Sequence, residues 1–205
     1  IYEGPKTMSP SLKPESEVLG KIYGRKYILH VGVMEKRKNL LNLIKAFEIV
    51  EAESPGTCLV LAGQFSSKAN MDDRQQILGY IHSKYLEEKV HLPGYIPDNE
   101  MAIWYRNATV YAFPSYNEGF GIPILEAFEQ KVPVVVANNS CLPEVGGDAV
   151  LTFDPSNVSE IAHSIQTVLR NPELRQDLIK RGEIRGSNFK WSKTAKELIE
   201  LFKKA

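Results

Sequence analysis

The sequence predicts an α/β fold, a doubly wound parallel sheet, and three observations predict it. Six short, β-branched apolar runs, at 26–32, 58–63, 89–94, 109–115, 132–138 and 149–155, each end near Gly, Pro, Ser or Asn. Several are apolar throughout rather than alternating, as in Val132-Pro133-Val134-Val135-Val136-Ala137, which is how strands buried on both faces read. Stretches with helical spacing separate the runs, and strand–helix alternation of this kind builds a parallel sheet with helices packed on its faces.

Taken in order, residues 1–24 carry Pro5, Pro10 and Pro14 with few large apolar groups and read as a linker leading into the domain. The body of the domain is expected over 25–190. After the first strand, Leu40, Leu43, Ile44, Phe47 and Val50 form one apolar stripe at helical spacing, with Asn39 placed as its N-cap. Further helices are expected at 71–86, 99–106, 121–130, 158–169 and 172–182. Asp72-Asp73 and Asp98-Asn99-Glu100 read as helix starts. A last helix over 192–204 has Ala195, Leu198, Ile199 and Phe202 on one face. Residues 191–205 therefore form a separate terminal element.

Bulk composition narrows the partners. The 205 residues are 43% hydrophobic and 24% charged, ordinary for a soluble globular chain. Twenty-five Lys and Arg balance 25 Asp and Glu, so no field of one sign argues for nucleic acid or an anionic membrane. Phosphate binding, if any, must come from local geometry. Cys58 and Cys141 make no disulfide framework and suit a reducing, cytoplasmic setting. His30, His82, His91 and His163 are scattered, with no spacing that suits zinc, and no Asp-x-Asp follows a strand. No metal or cofactor is expected. The chain opens on Ile1-Tyr2-Glu3-Gly4 without a methionine and reads as the middle of a longer protein.

Chemistry concentrates where the fourth strand runs into Glu118-Gly119-Phe120-Gly121-Ile122-Pro123-Ile124-Leu125-Glu126. A strand, a glycine-containing loop and a helix start build an anion site. The first N–H groups of a helix lack internal partners, and the helix dipole favours negative charge there. Pro123 suits the first turn, and the glycines let backbone approach a ligand. Helix N–H groups want a phosphate and carboxylates want hydroxyls; a nucleotide sugar offers both. Doubly wound sheets bind ligands beyond the C-terminal ends of their strands. That edge is where the Arg37-Lys38, Gly94-Tyr95 and Glu118 segments all fall.

The stretch from Phe113 to Phe128 resembles the E-x7-E signature of retaining glycosyltransferases of family 4, which have the GT-B fold. The likeness runs from about Tyr27 to the C-terminus. It takes in the segment from His30 to Asn39, Leu61-Ala62-Gly63, His91-Leu92-Pro93-Gly94-Tyr95 and Leu142-Pro143-Glu144-Val145-Gly146. It implies a Rossmann-like domain that is one half of a GT-B enzyme, the C-terminal, donor-binding half. Lys38 then binds the leaving diphosphate. The family often carries an arginine directly after the first strand's glycine; Val33 stands there, and Arg37 is the nearest substitute. Glu118 faces the donor sugar, and the backbone of Gly119, Phe120, Gly121 and Ile122 lies along the phosphates. Glu126 accepts from the ribose hydroxyls, and Tyr95 and Ile96 flank the base. The alternatives stay open here: a solvated basic cluster at 35–38, a loop carboxylate at Glu118, a dipole-favoured first-turn Glu126, and a Tyr95 packed on the core.

The resemblance implies transfer of a sugar from a nucleoside diphosphate donor to an acceptor hydroxyl, without metal. GDP-mannose is the first donor it suggests, by likeness to mannosyl- and rhamnosyl-type transferases of polysaccharide biosynthesis. The implied partners are a nucleotide sugar and a missing N-terminal acceptor-binding domain, onto which the 191–205 helix crosses unless it covers its own sheet. Contact with the inner face of the membrane would run through that missing domain. The isolated chain is expected to bind nucleotide and turn over little. A GT-B nucleotide-sugar epimerase and a non-catalytic nucleotide-sugar-binding subunit are the alternatives.

Overall fold

A computed structural model describes residues 2–5, 8 and 17–204. Its centre is one six-stranded sheet: β1 (Tyr27–Val31), β2 (Cys58–Ala62), β3 (Val90–Gly94), β4 (Val110–Phe113), β5 (Val134–Ala137) and β6 (Val150–Phe153). The order is β3-β2-β1-β4-β5-β6 and every pairing is parallel. All six expected runs are strands. β2, β4 and β5 are buried at every position, which is why they read as continuous apolar runs. This doubly wound order reverses direction between β1 and β4, and the crevice at such a switch point is where these sheets take ligands.

The helices are α1 (Glu17–Ile22), α2 (Leu40–Glu53), α3 (Arg74–Ser83), α4 (Asp98–Asn107), α5 (Ile122–Glu129), α6 (Leu142–Gly146), α7 (Val158–Arg170), α8 (Pro172–Gly186) and α9 (Trp191–Lys204). α2 packs on α3 and α7, and α5 packs on α8. The α2 stripe is buried as expected. Within the stretch read as a linker, Glu17–Ile22 is helical and sends Leu19 and Ile22 into the core. The other residues of that stretch at 6, 7 and 9–16 lie outside the described residues.

Three local expectations need correction. The helix expected over 172–182 runs to Gly186, because Gly182 is a packing glycine and not a stop. A Cβ there would lie 2.6 Å from the Phe128 ring. The short α6 was not anticipated, since five residues are too few to show a period. Asn39 does not cap α2: its backbone is left-handed (φ 58°) and its side chain makes no cap bond. Instead the buried Asn39 amide donates to Pro114 O at 3.1 Å and Pro155 O at 2.7 Å, tying the loops after β4 and β6 to the start of α2. Asn39→Ala is expected to cost about 2–4 kcal/mol, from the loss of both amide bonds, of which Pro155 O keeps only the longer one from Asn42 at 3.3 Å, and from a left-handed backbone that Asn tolerates better than Ala. Urea unfolding of the chain measures this, and an unchanged midpoint would show that the amide bonds carry no net stability.

α9 does not cover its own sheet: Leu198, Ile199, Leu201 and Phe202 are exposed, Phe202 at 76%. Its first turn meets the N-terminal segment, where Trp191 Nε1 donates to Pro5 O at 3.2 Å and Thr194 Oγ1 donates to Tyr2 O. The N-terminal segment and the start of α9 therefore lie side by side. Among the described residues no helix is long and apolar enough to cross a membrane.

Candidate functional site

The site forms where the loop after β1 meets the loop after β4. A 3-10 turn, Lys36–Lys38, follows β1 and swings Arg37 and Lys38 towards the Glu118 loop. Tyr116 N donates to Arg37 O at 2.8 Å, joining the two loops through backbone. Lys38 Nζ then donates to Glu118 Oε1 at 2.7 Å, and Arg37 Nη1 to Glu118 Oε2 at 2.9 Å. Arg37 also holds Asn117 O at 3.1 Å and, through Nε, Glu35 Oε2 at 2.9 Å. Within the basic run at 36–38, Lys36 and Arg37 are exposed, but Lys38 is only 6% exposed and sits 5.1 Å over the Phe113 ring.

The charges divide unevenly. Burial pulls the Lys38 pKa below its ordinary value, although Glu118 pulls the other way. Burial alone would raise Glu118. Hydrogen bonding and charge from Lys38 and Arg37 outweigh it and hold the carboxyl below its usual range. A carboxyl depressed on folding adds stability above its unfolded pKa and loses it as pH falls through the folded value. A lysine depressed on folding opposes this at neutral pH, because its charged form is the one penalised by burial. Lys38 is therefore a desolvated cation that needs an anion close by.

Two glycines with positive φ bring the ends of β1 and β2 together beside Lys38. Gly63, after β2, has φ +139°, and a Cβ on it would fall 2.0 Å from Gly32 O. Gly32, after β1, would in turn place a Cβ 3.6 Å from Lys38 Nζ. Beside Lys38, His30 is wholly buried on β1 and faces Ala112 O at 3.0 Å from Nδ1. A carbonyl only accepts, so Nδ1 carries the proton. Burial, then the Lys38 charge, pushes the His30 pKa down to about 4, keeping it neutral at pH 7.

Downstream of Glu118, Gly121 is left-handed (φ 98°) and turns the chain into α5, with Pro123 in the first turn. Gly119, Phe120, Gly121 and Ile122 line a hollow of about 420 Å³ together with Glu3, Glu118 and Pro123. Phe120 packs on Tyr2 and Phe189, with ring centroids 6.1 and 6.0 Å away. A hollow of about 480 Å³ between α5, α8 and the start of α9 is lined by Leu125, Phe128, Phe189 and Trp191 and touches neither Glu118 nor its cations. Glu126, one turn into α5, accepts from the Tyr105 hydroxyl at 3.0 Å. At the end of β3, Ile96 is buried while Tyr95 stands 66% exposed, so Tyr95 is not packed on the core.

Sequence reasoning missed the groups behind this first rank. Ser140, left-handed at φ 56°, accepts from Glu118 N at 3.0 Å and donates to Glu118 O at 2.7 Å. Asn139 donates to Tyr116 O at 3.1 Å. The turn-forming run Asn138-Asn139-Ser140 was the available signal. Among the described residues no three His, Cys, Asp or Glu side chains gather as a metal site.

A parallel sheet in this order, with cations and a glycine-led helix start at its switch point, defines a Rossmann-like domain of the GT-B glycosyltransferase type. The chain matches the family "Glycosyl transferases group 1" over residues 13–185, and it belongs to that family. It is 34% identical over 179 residues to the O-antigen chain mannosyltransferase B of Escherichia coli, covering 86% of this chain and 45% of that protein. The chain thus spans just under half the length of that curated relative. Among solved structures, sucrose-phosphate synthase from Thermosynechococcus elongatus superposes with a TM-score of 0.82 at 24% identity, over 99% of this chain and 51% of that one. Anabaena HepE in complex with UDP also gives 0.82, at 20% identity, over 92% and 51%. At these identities the structural likenesses show the fold.

Proposed function

We propose that this chain is the C-terminal, donor-binding half of a retaining glycosyltransferase of family 4, which moves a sugar from a nucleoside diphosphate to an acceptor hydroxyl. The observation that carries this is the convergence of Lys38 and Arg37 on Glu118 at the switch point, directly ahead of the α5 N-terminus. A buried cation there meets the charge of a diphosphate, with helix N–H groups beside it. Glu118 pairs with both cations in the structure described, with Glu35 sharing Arg37, and it turns to a hydroxyl of the donor sugar once the diphosphate supplies the negative charge. As the sugar–oxygen bond breaks, negative charge gathers on the leaving phosphate, and Lys38, Arg37 and the backbone around Gly121 stabilise it. Glu126 holds the ribose, and Tyr95 and Ile96 lie against the base. These groups supply the stabilisation without a metal. GDP-mannose is the proposed donor; the name of the Escherichia coli relative, a mannosyltransferase, supports the sugar. The acceptor site belongs to a preceding domain, as does any contact with the cytoplasmic face of a membrane. The chain by itself binds donor and does not transfer it.

A thermal-shift panel of GDP-, UDP-, ADP- and dTDP-sugars tests this, since a ligand of the native state raises its stability by mass action. The GDP-sugar is expected to give the largest shift, unchanged in EDTA. A larger shift with another base would replace the donor, and a shift that vanishes in EDTA and returns with Mg²⁺ would end the metal-free reading. No shift with any nucleotide sugar would end the donor-site reading.

A further inference from the structure

Tyr105 is a buried polar group that the proposed chemistry does not use. It lies on α4, wholly inside the protein, with its ring 5.5 Å from the Tyr111 ring. Its hydroxyl donates to Glu126 Oε2 at 3.0 Å. A glutamate one turn into a helix has three rotatable bonds and does not hold one orientation unaided. A donor fixed in the core restricts that freedom and takes up one lone pair of Oε2. We infer that Tyr105 is a positioning residue, which orients the Glu126 carboxylate towards the ribose hydroxyls of the donor nucleotide.

This rests on the assignment of Glu126 to the ribose made above. Two features suit Tyr105 to the task. Burial, followed by the neighbouring Tyr111 and the Glu126 charge, raises its pKa well above the ordinary phenol value, so it stays a donor at any working pH. It also belongs to the helix that begins two residues after Ile96. The side chain that orients the ribose carboxylate is therefore carried by the helix that directly follows the segment assigned to the base. An error in the placement of α4 would disturb both contacts together.

Titration calorimetry of the chain with GDP and 2′,3′-dideoxy-GDP, repeated with the UDP and ADP pairs, tests the inference. Wild type is expected to favour the ribose form. Glu126→Ala sets the scale by abolishing that preference. Tyr105→Phe keeps the ring and removes the donor. It should weaken the ribonucleotide by about three- to tenfold, the size of one ordinary hydrogen bond, because the effect is indirect, and the dideoxynucleotide by less than about twofold. Tyr27→Phe is the control: its hydroxyl, 2.5 Å from Trp104 O, also braces α4 from the core but does not touch Glu126. It should leave the preference unchanged. A wild-type preference that survives in Tyr105→Phe, or that falls equally in Tyr27→Phe, overturns the positioning role and leaves the ribose assignment standing. A wild type with no preference overturns the ribose assignment and the inference with it. In the unmutated chain, the NMR resonance of Cζ-labelled Tyr105 should move on binding GDP but not dideoxy-GDP. Equal movement with both would count against the inference without any variant having to fold.

Discussion

Lys38→Ala in the full-length protein is expected to lower kcat, and kcat/KM at least as much, by about 10²–10³, as for the loss of one oxyanion donor. Lys38 is 6% exposed and lies 2.7 Å from Glu118 Oε1. Its charge is already stripped of water, so its interaction with a departing diphosphate is worth more than that of a surface lysine. That interaction grows as negative charge gathers on the leaving oxygen, so the loss falls on turnover more than on ground-state binding. Arg37 is the next cation, but its side chain is 44% exposed and shared between Glu35 and Glu118, so it compensates poorly. Lys38→Arg should recover part of the rate: the charge returns, the point geometry does not. The measurement is steady-state kinetics at saturating acceptor. An unchanged kcat with a raised KM for donor would show that Lys38 only anchors the substrate. Thermal unfolding must accompany it, because Lys38→Ala also removes the closest partner of a largely buried carboxylate.

Gly63→Ala is expected to destabilise the chain by on the order of 3–5 kcal/mol, combining backbone strain with a clash that packing cannot relax. At φ +139° an alanine is strained whatever the space, and its Cβ would lie 2.0 Å from Gly32 O, a backbone atom with no rotamer to change. Relief requires β1 and β2 to part at their C-terminal ends, where Gly32 N donates to Ala62 O and Met34 N donates to Gln64 O. The same movement carries Gly32 away from Lys38, so nucleotide binding should fall in whatever fraction still folds. Gly79→Ala, at a helical glycine with nothing near its Cβ, is the matched control and should not destabilise. Denaturant unfolding with a Gly63→Ala midpoint near wild type would mean that the strand ends are more pliable than their geometry shows.

What was legible in the sequence is what short-range physics controls. Continuous apolar runs marked β2, β4 and β5 because burial on both faces leaves no polar positions, and short β-branched runs ending at turn residues marked the other three. The stripe from Leu40 to Val50 marked α2 because helical spacing aligns one face. Gly-Phe-Gly-Ile-Pro marked a helix start with unpaired N–H groups, and its place after a strand put it at the ligand edge. Lys38, Glu118 and Glu126 were all singled out on such grounds together with a family likeness.

The tertiary structure alone decided how these groups meet. That Glu118 takes both Arg37 and Lys38, some 80 residues away along the chain, depends on β1 and β4 being neighbours. Asn39 looked like a cap because the local pattern favours one, but two carbonyls from distant loops compete for its amide and win. Gly182 looked like a helix end because the Phe128 ring that demands its missing side chain lies more than fifty residues earlier. Ser140 showed in the sequence only as part of a turn-forming run, and Tyr105 not at all, although they hold Glu118 and Glu126 in place. A hydroxyl becomes a positioning group only when packing delivers it to its acceptor, and that delivery is a property of the folded sheet and its helices, not of the residues beside it in the chain.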